Sequence, residues 1–180
     1  MATRRPGAAG TSSAGGRGRW VLLSYRVPRE PSAPRIAVWR KLKRLGVAQF
    51  SDGLVALPAD ARTREHLEWI AQEVREAGGQ AGVWLAEPTD PTQERELAAE
   101  MAAARAGEYT AVTVEAEQAA TLPAGQRRRT GERLRAELGR ITRRDFFPPP
   151  QREQAQQAVR ALLDEAAKTA EAVDTQEVPR

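Results

Sequence analysis

Five cationic side chains lie within the short segment RIAVWRKLKRLG at residues 35–46, and their chemistry suits the binding of phosphate or another oxyanion. Guanidinium groups bind such oxygens through paired hydrogen bonds, whereas ammonium groups bind them as point charges. No glutamate at a spacing of four residues balances these cations within the segment. The segment therefore predicts an anion-binding surface, and the alternative is a solvated helix face that only improves solubility.

Two blocks of positive charge extend this pattern along the chain. Residues 17–44 hold nine Lys or Arg against one acid, and residues 127–144 hold eight Arg against two acids. Clustered and unbalanced cations of this kind are typical of proteins that bind a polyanion. The candidate DNA- or oxyanion-binding residues are Arg26, Arg35, Arg40, Lys41, Lys43, Arg44, Arg127, Arg128, Arg129, Arg143 and Arg144.

Arg35 differs from the other cations because of its position on the predicted helix. At 100° per residue, Val38, Trp39, Leu42 and Leu45 form one apolar stripe, and Arg35 falls on the same stripe in the first turn. One interpretation is that its stem packs while the guanidinium reaches solvent past the helix end. The other is that it pairs with a carboxylate or a bound anion near the sheet edge.

Residue types that support catalysis are scarce. The chain has no cysteine, which excludes disulfides, thiolate metal sites and cysteine nucleophiles, and His66 is its only histidine. No carboxylate pair or phosphate-binding glycine loop follows a strand, and Arg26, at the end of the first strand, is unsuited to holding Mg²⁺. We therefore expect no catalytic residue, no metal site, no cofactor and no enzymatic activity.

The elements around these residues follow the order βαββαβ. WVLLSYRV at 20–27 reads as a strand, 47–58 as a hairpin turning at Ser51-Asp52-Gly53, and 80–87 as a fourth strand. Helices are predicted from Ser32 to Leu45 and over 63–79. This is a ferredoxin-like α+β pattern, an antiparallel sheet with two helices on one face. We expect one core containing Val21, Leu23, Trp39, Leu42, Leu67, Ile70 and Val83.

The chain after this unit is rich in Ala, Glu, Gln and Arg and predicts a helical C-terminal extension. Helices are expected at 92–106, 125–143 and 150–167, while YTAVTV at 109–114 fits either a strand or a helix. The predicted organisation is a disordered basic arm over 1–18, the ferredoxin-like domain over 19–90, the extension over 91–168 and a flexible tail over 169–180.

The face of the sheet opposite the two helices needs a cover. Trp20 and Trp84 are expected on this face, where the helical extension could pack, and the alternative is a homodimer interface. Phe146 and Phe147, just before three prolines, are expected to attach the last helix to the body of the protein. No apolar run approaches the roughly 20 residues of a membrane helix, so we expect no membrane partner. The lack of cysteine fits a cytoplasmic protein.

Several segments together resemble the N-terminal domain of ChrB, the chromate-resistance regulatory protein. The segments are WVLLSYRVPREPSAPRIAVWRKLKRLG at 20–46, TREHLEWIAQEVREAGGQA at 63–81, GEY at 107–109 and RRDFFPPP at 143–150. The resemblance implies a regulator that binds the promoter DNA of chromate-resistance operons and responds to chromate. We therefore expect a cytoplasmic DNA-binding regulator. The alternative is an accessory module that binds an oxyanion or another protein without binding DNA.

Overall fold

The computed structural model describes the backbone of residues 18–176 and the side chains of residues 18–169. Four strands form one antiparallel sheet in the order β2-β3-β1-β4, and two helices connect them. This confirms the predicted ferredoxin-like α+β fold. The predicted basic arm lies outside the described residues, except for Gly18. The elements of this unit are β1 (Trp20–Arg26), α1 (Ser32–Leu45), β2 (Ala48–Ser51), β3 (Leu54–Pro58), α2 (Ala61–Glu76) and β4 (Gln80–Ala86).

Alternate side chains of β1 point toward the two helices and form part of the core beneath them. Val21 and Leu23 are fully buried and lie opposite Leu57 and Val55 of β3, so the four side chains share one face. The core also takes Leu42 from α1 and residues such as Leu67, Ile70 and Val74 from α2. Val83 packs against this core from β4 but is only partly buried.

Capping residues set the limits of the two helices. Asp60 accepts a hydrogen bond from the Thr63 N–H at 2.7 Å, and the Thr63 hydroxyl accepts one from the Asp60 N–H at 3.0 Å. This reciprocal pair satisfies donors that the first turn of α2 would otherwise leave free. Helix α1 ends at Gly46, whose φ of 71° lies in the left-handed region that glycine adopts without strain.

The C-terminal extension contains α3 (Pro91–Ala119), α4 (Ala124–Thr142) and α5 (Gln151–Gln176). The ambiguous segment 109–114 is helical and lies within α3. Tyr109, Val112, Ala116 and Ala119 are buried at helical spacing, and this spacing outweighs the β-branched alternation because it puts all four on the bundle core. The predicted tail is helical as far as Gln176, and residues 177–180 lie outside the described chain.

The extension covers part of the second face of the sheet. Trp20 is buried and stacks on Phe147, with ring centroids 6.0 Å apart, and Leu97 of α3 packs against the same core. The expected packing of Phe147 and of the extension is therefore confirmed. Trp84 lies on this face of the sheet too, but its side chain stays 63% exposed.

The prediction that Trp39 belongs to the core is wrong. Its side chain is 52% exposed, whereas Val38 and Leu42 on the same helix are buried. On the helical wheel Val38 and Leu42 differ by only about 40°, and Trp39 lies beyond them at the flank. The sheet covers a narrow strip of α1, so the indole remains in solvent beside the cationic face.

Candidate functional site: a basic groove

Helix α1 presents its cations on the face that points away from the core. Arg40, Lys43 and Arg44 are exposed and have no carboxylate partner among the described residues. Lys41 differs because its ammonium pairs with Glu73 of α2. Three of the predicted cations therefore remain free to bind an anion, whereas the charge of Lys41 is offset within the fold.

These cations line a groove of about 630 Å³ together with residues that are remote in sequence. Arg105 from α3 and Arg144 from just beyond α4 enter the groove beside α1, and Glu108 is its one carboxylate. The structure thus joins the two basic blocks at one surface. The charged lining residues are Arg40, Lys41, Lys43, Arg44, Arg105, Arg144 and Glu108.

Arg105, Glu108 and Arg144 form a connected cluster at the inner wall of the groove. Glu108 accepts from Arg105 Nη2 at 3.1 Å and from Arg144 Nη2 at 2.7 Å. The side chain of Arg105 is only 13% exposed, and burial lowers its pKa while Glu108 acts in the opposite direction. One carboxylate bridging two largely buried guanidinium groups leaves a net positive charge here, which favours an incoming anion.

The backbone at Gly46, where α1 ends, lies very close to the side chains of this cluster. A Cβ atom placed at Gly46 would lie 2.7 Å from Arg105 Nη1 and 3.0 Å from the Cβ of Arg144. The positive φ of this glycine and the lack of a side chain both allow the contact. The end of α1, α3 and the turn after α4 therefore lie side by side in one wall of the groove.

A second hydrogen-bonded pair holds the turn that carries Arg144. The hydroxyl of Tyr109 donates to Asp145 Oδ2 at 2.9 Å, and the Asp145 side chain is fully buried. Burial raises the pKa of the Tyr109 hydroxyl, so it remains protonated and able to donate. Glu108 and Tyr109 thus bind Arg144 and Asp145 in parallel. The segments GEY and RRDFFPPP, singled out from the sequence, contact each other directly.

The structure separates Arg26 and Arg35 from this groove. Both line a neighbouring cavity of about 530 Å³ that also contains Arg29 and the backbone of Gly78 and Gly79. Arg35 is exposed, which fits the interpretation that its guanidinium reaches solvent. No carboxylate of the described residues forms a salt bridge with it, and binding of an anion there stays a prediction.

The remaining predicted cations do not share one surface with the groove. Arg127 donates to Thr169 at 2.8 Å, and Arg128 pairs with Glu132 at 3.1 Å. The start of α4, which carries these residues and Arg129, lies roughly 25 Å along the helix axis from Arg144. Arg143 is exposed next to Arg144 but does not line the groove.

Sequence reasoning missed Arg105 as a member of the site. It stands alone in the alanine-rich run MAAARAG, so its charge gives no local signal of a cluster. Its partner Glu108 belongs to GEY, and the spacing of three residues within a helix was the available clue. The contact with Arg144 depends on chain packing and is invisible in the sequence.

Metal-binding clusters and membrane-spanning helices are both absent from the described part of the chain. No group of three His, Asp or Glu side chains among residues 18–169 lies close enough to hold a metal ion. None of the helices between residues 18 and 176 is long and apolar enough to cross a membrane. His66 lies partly buried on α2 and is not part of such a group.

Comparison with known protein families confirms the resemblance seen in the sequence. Residues 35–121 match the model of the family described as "Protein ChrB, N-terminal", a family that is associated with chromate resistance. The matched range contains most of α1, all of α2, and Arg105, Glu108 and Tyr109 of the site. No curated protein and no solved structure is significantly similar to the chain.

Proposed function

We propose that this protein is a DNA-binding transcriptional regulator of a chromate-resistance system and that it binds the phosphate backbone in the basic groove. The observation that carries the proposal is the convergence of six cations on one groove that contains one carboxylate. Three of the six have no carboxylate partner among the described residues, so their charge is available to phosphates.

The shape of the site also favours a polyanion over a small substrate. The groove is an open surface along α1, and its cations come from both basic blocks of the chain. Cations spread along an open surface suit a repeating backbone of phosphates, whereas a small substrate is held in an enclosed and mostly apolar pocket. We propose that the protein acts through binding and has no enzymatic activity.

A salt titration of DNA binding tests this proposal. We expect the triple variant Arg40→Ala/Lys43→Ala/Arg44→Ala to flatten the slope of log K against log salt by about 0.9 for each phosphate that it no longer neutralises, or ~2.7 in total. The variant should remain folded because all three side chains are exposed. The weakening should be similar on promoter and random duplexes, since phosphate contacts carry no sequence information directly.

A matched control separates the groove from the overall charge. Arg62→Ala/Arg95→Ala/Arg160→Ala removes the same charge from exposed positions outside the groove. We expect its salt slope to stay close to that of the wild type. Equal slopes for both triple variants, or no DNA binding by the wild type, would contradict the proposal.

A second candidate function rests on the cavity of Arg26, Arg29 and Arg35. Its lining contains three guanidinium groups and no carboxylate, which suits a small tetrahedral oxyanion such as chromate or sulfate. Saturable thermal stabilisation by chromate or sulfate at constant ionic strength would support this function. Loss of that stabilisation in Arg29→Ala, with DNA binding retained, would assign it to this cavity.

A further inference from the structure

Trp39 occupies the centre of a row of exposed residues on α1. Arg35 and Lys43 lie four residues before and after it, so the three side chains follow one another along the same side of the helix. The ammonium of Lys43 lies over the indole ring, 4.8 Å from its centroid. The half-exposed aromatic ring thus contacts one cation, Lys43, and has a second, Arg35, one helical turn before it on the same side of α1.

The indole also joins two cavities. Trp39 lines the basic groove, and it lines a cavity of about 420 Å³ whose charged residues are Arg26, Arg35 and Asp52. The same two arginines line the adjoining cavity of Arg29. A continuous track therefore runs along α1 with cations at both ends, and the part from Arg35 to Arg44 is roughly 14 Å long.

The charge around Trp39 distinguishes it from another exposed tryptophan of the chain. Trp69 on α2 is 60% exposed, but the residues four positions before and after it are Glu65 and Glu73. Glu65 repels phosphates and Glu73 is already paired with Lys41, whereas Arg35 and Lys43 attract phosphates. An exposed indole by itself does not indicate a site that binds nucleic acid. Trp39 differs from Trp69 because its exposed indole is flanked by cations.

We propose that Trp39 is a stacking platform for an unpaired nucleobase of the bound nucleic acid. This inference rests on the proposed function, because the cations of the track must hold the phosphates on both sides of that base. Base pairs inside a duplex are stacked on their neighbours and expose no ring face, so the ring favours a single strand or an unpaired nucleotide. Stacking on an aromatic side chain is tolerant of sequence because every base has such a face.

Binding of three matched DNA probes tests the inference: a single strand, its fully paired duplex, and that duplex with one unpaired nucleotide. We expect Trp39→Ala to weaken binding of the single strand and of the unpaired site by about 5- to 150-fold. Affinity for the paired duplex should change less than about twofold. The salt slope should remain unchanged, because the substitution removes no phosphate contact.

Two further variants complete the test. Trp39→Phe keeps an aromatic ring and should retain most of the affinity for the single strand, whereas Trp69→Ala should behave as the wild type on all three probes. If Trp39→Ala weakened the binding of paired and unpaired DNA equally, or weakened neither, the stacking role would be overturned. The proposed function would still stand in that case, provided that the wild type bound the duplex in a salt-dependent manner. If the wild type bound none of the probes, both would be overturned.

Discussion

Tyr109→Phe removes one hydroxyl from the most buried part of the polar network behind the groove. The side chain is fully buried, and its hydroxyl donates to the buried carboxylate of Asp145 at 2.9 Å. Hydrogen bonds to charged groups contribute about 1.5–3 kcal/mol, and the carboxylate would lose a donor without gaining water. Because the ring stays in place, the cavity left behind is small. We expect a loss of about 2–3 kcal/mol in the free energy of unfolding.

Urea denaturation followed by far-ultraviolet circular dichroism measures this loss, and melting should shift by about 2–4 °C for each kcal/mol in a chain of this size. Tyr25→Phe is the matched control, since the Tyr25 hydroxyl makes no hydrogen bond with any described residue. Its effect should stay within ~0.5 kcal/mol. If Tyr109→Phe lost no more stability than Tyr25→Phe, the role assigned to the Tyr109–Asp145 pair would be refuted.

Two further predictions concern the stability of the ferredoxin-like unit, both measured by urea denaturation. Leu42→Ala should cost about 2–5 kcal/mol because the side chain is buried in the core, whereas Trp39→Ala should cost less than ~1 kcal/mol because the indole is half exposed. Similar costs for the two would contradict the packing of α1. Asp60→Ala should cost about 1 kcal/mol at neutral pH by removing the cap of α2. The Thr63 N–H bond lowers the pKa of Asp60, so the part of this advantage that depends on the carboxylate charge is complete above the ordinary pKa of an aspartate and is lost as the pH falls through the lowered value. A difference between Asp60→Ala and the wild type that stayed the same at all pH values would contradict this account.

The fold was predictable from local patterns because they report directly on burial. The alternation of Val21 and Leu23 specifies the strand face, and the spacing of Leu67, Ile70 and Val74 specifies the face of α2. Both patterns are confirmed by full or nearly full burial. Segment 109–114 was ambiguous because β-branched residues fit either element, and only packing against the other two helices decides between them.

The candidate site was predictable in part, since the cations of α1 and Arg144 were identified without a structure. The grouping of these cations in one groove was not predictable, because it depends on contacts between distant parts of the chain. The charge of Lys41 is offset by Glu73, which belongs to another helix. Arg144, just after α4, forms a salt bridge with Glu108 of α3. Trp39 was misplaced because hydrophobicity does not report how wide a strip of α1 the sheet covers.

Lysine acetylation footprinting with mass spectrometry tests the central claim, binding of DNA in the basic groove, most directly. The chain has three lysines, of which Lys41 and Lys43 line the groove and Lys168 lies on α5 outside it. The side chain of Lys168 is 71% exposed, so it serves as an internal control. Saturating duplex DNA at low salt should slow acetylation of Lys43 several-fold, protect Lys41 less because Glu73 already binds it, and leave Lys168 unchanged. Unchanged acetylation of Lys43 under conditions where DNA is bound would contradict the assignment of the groove.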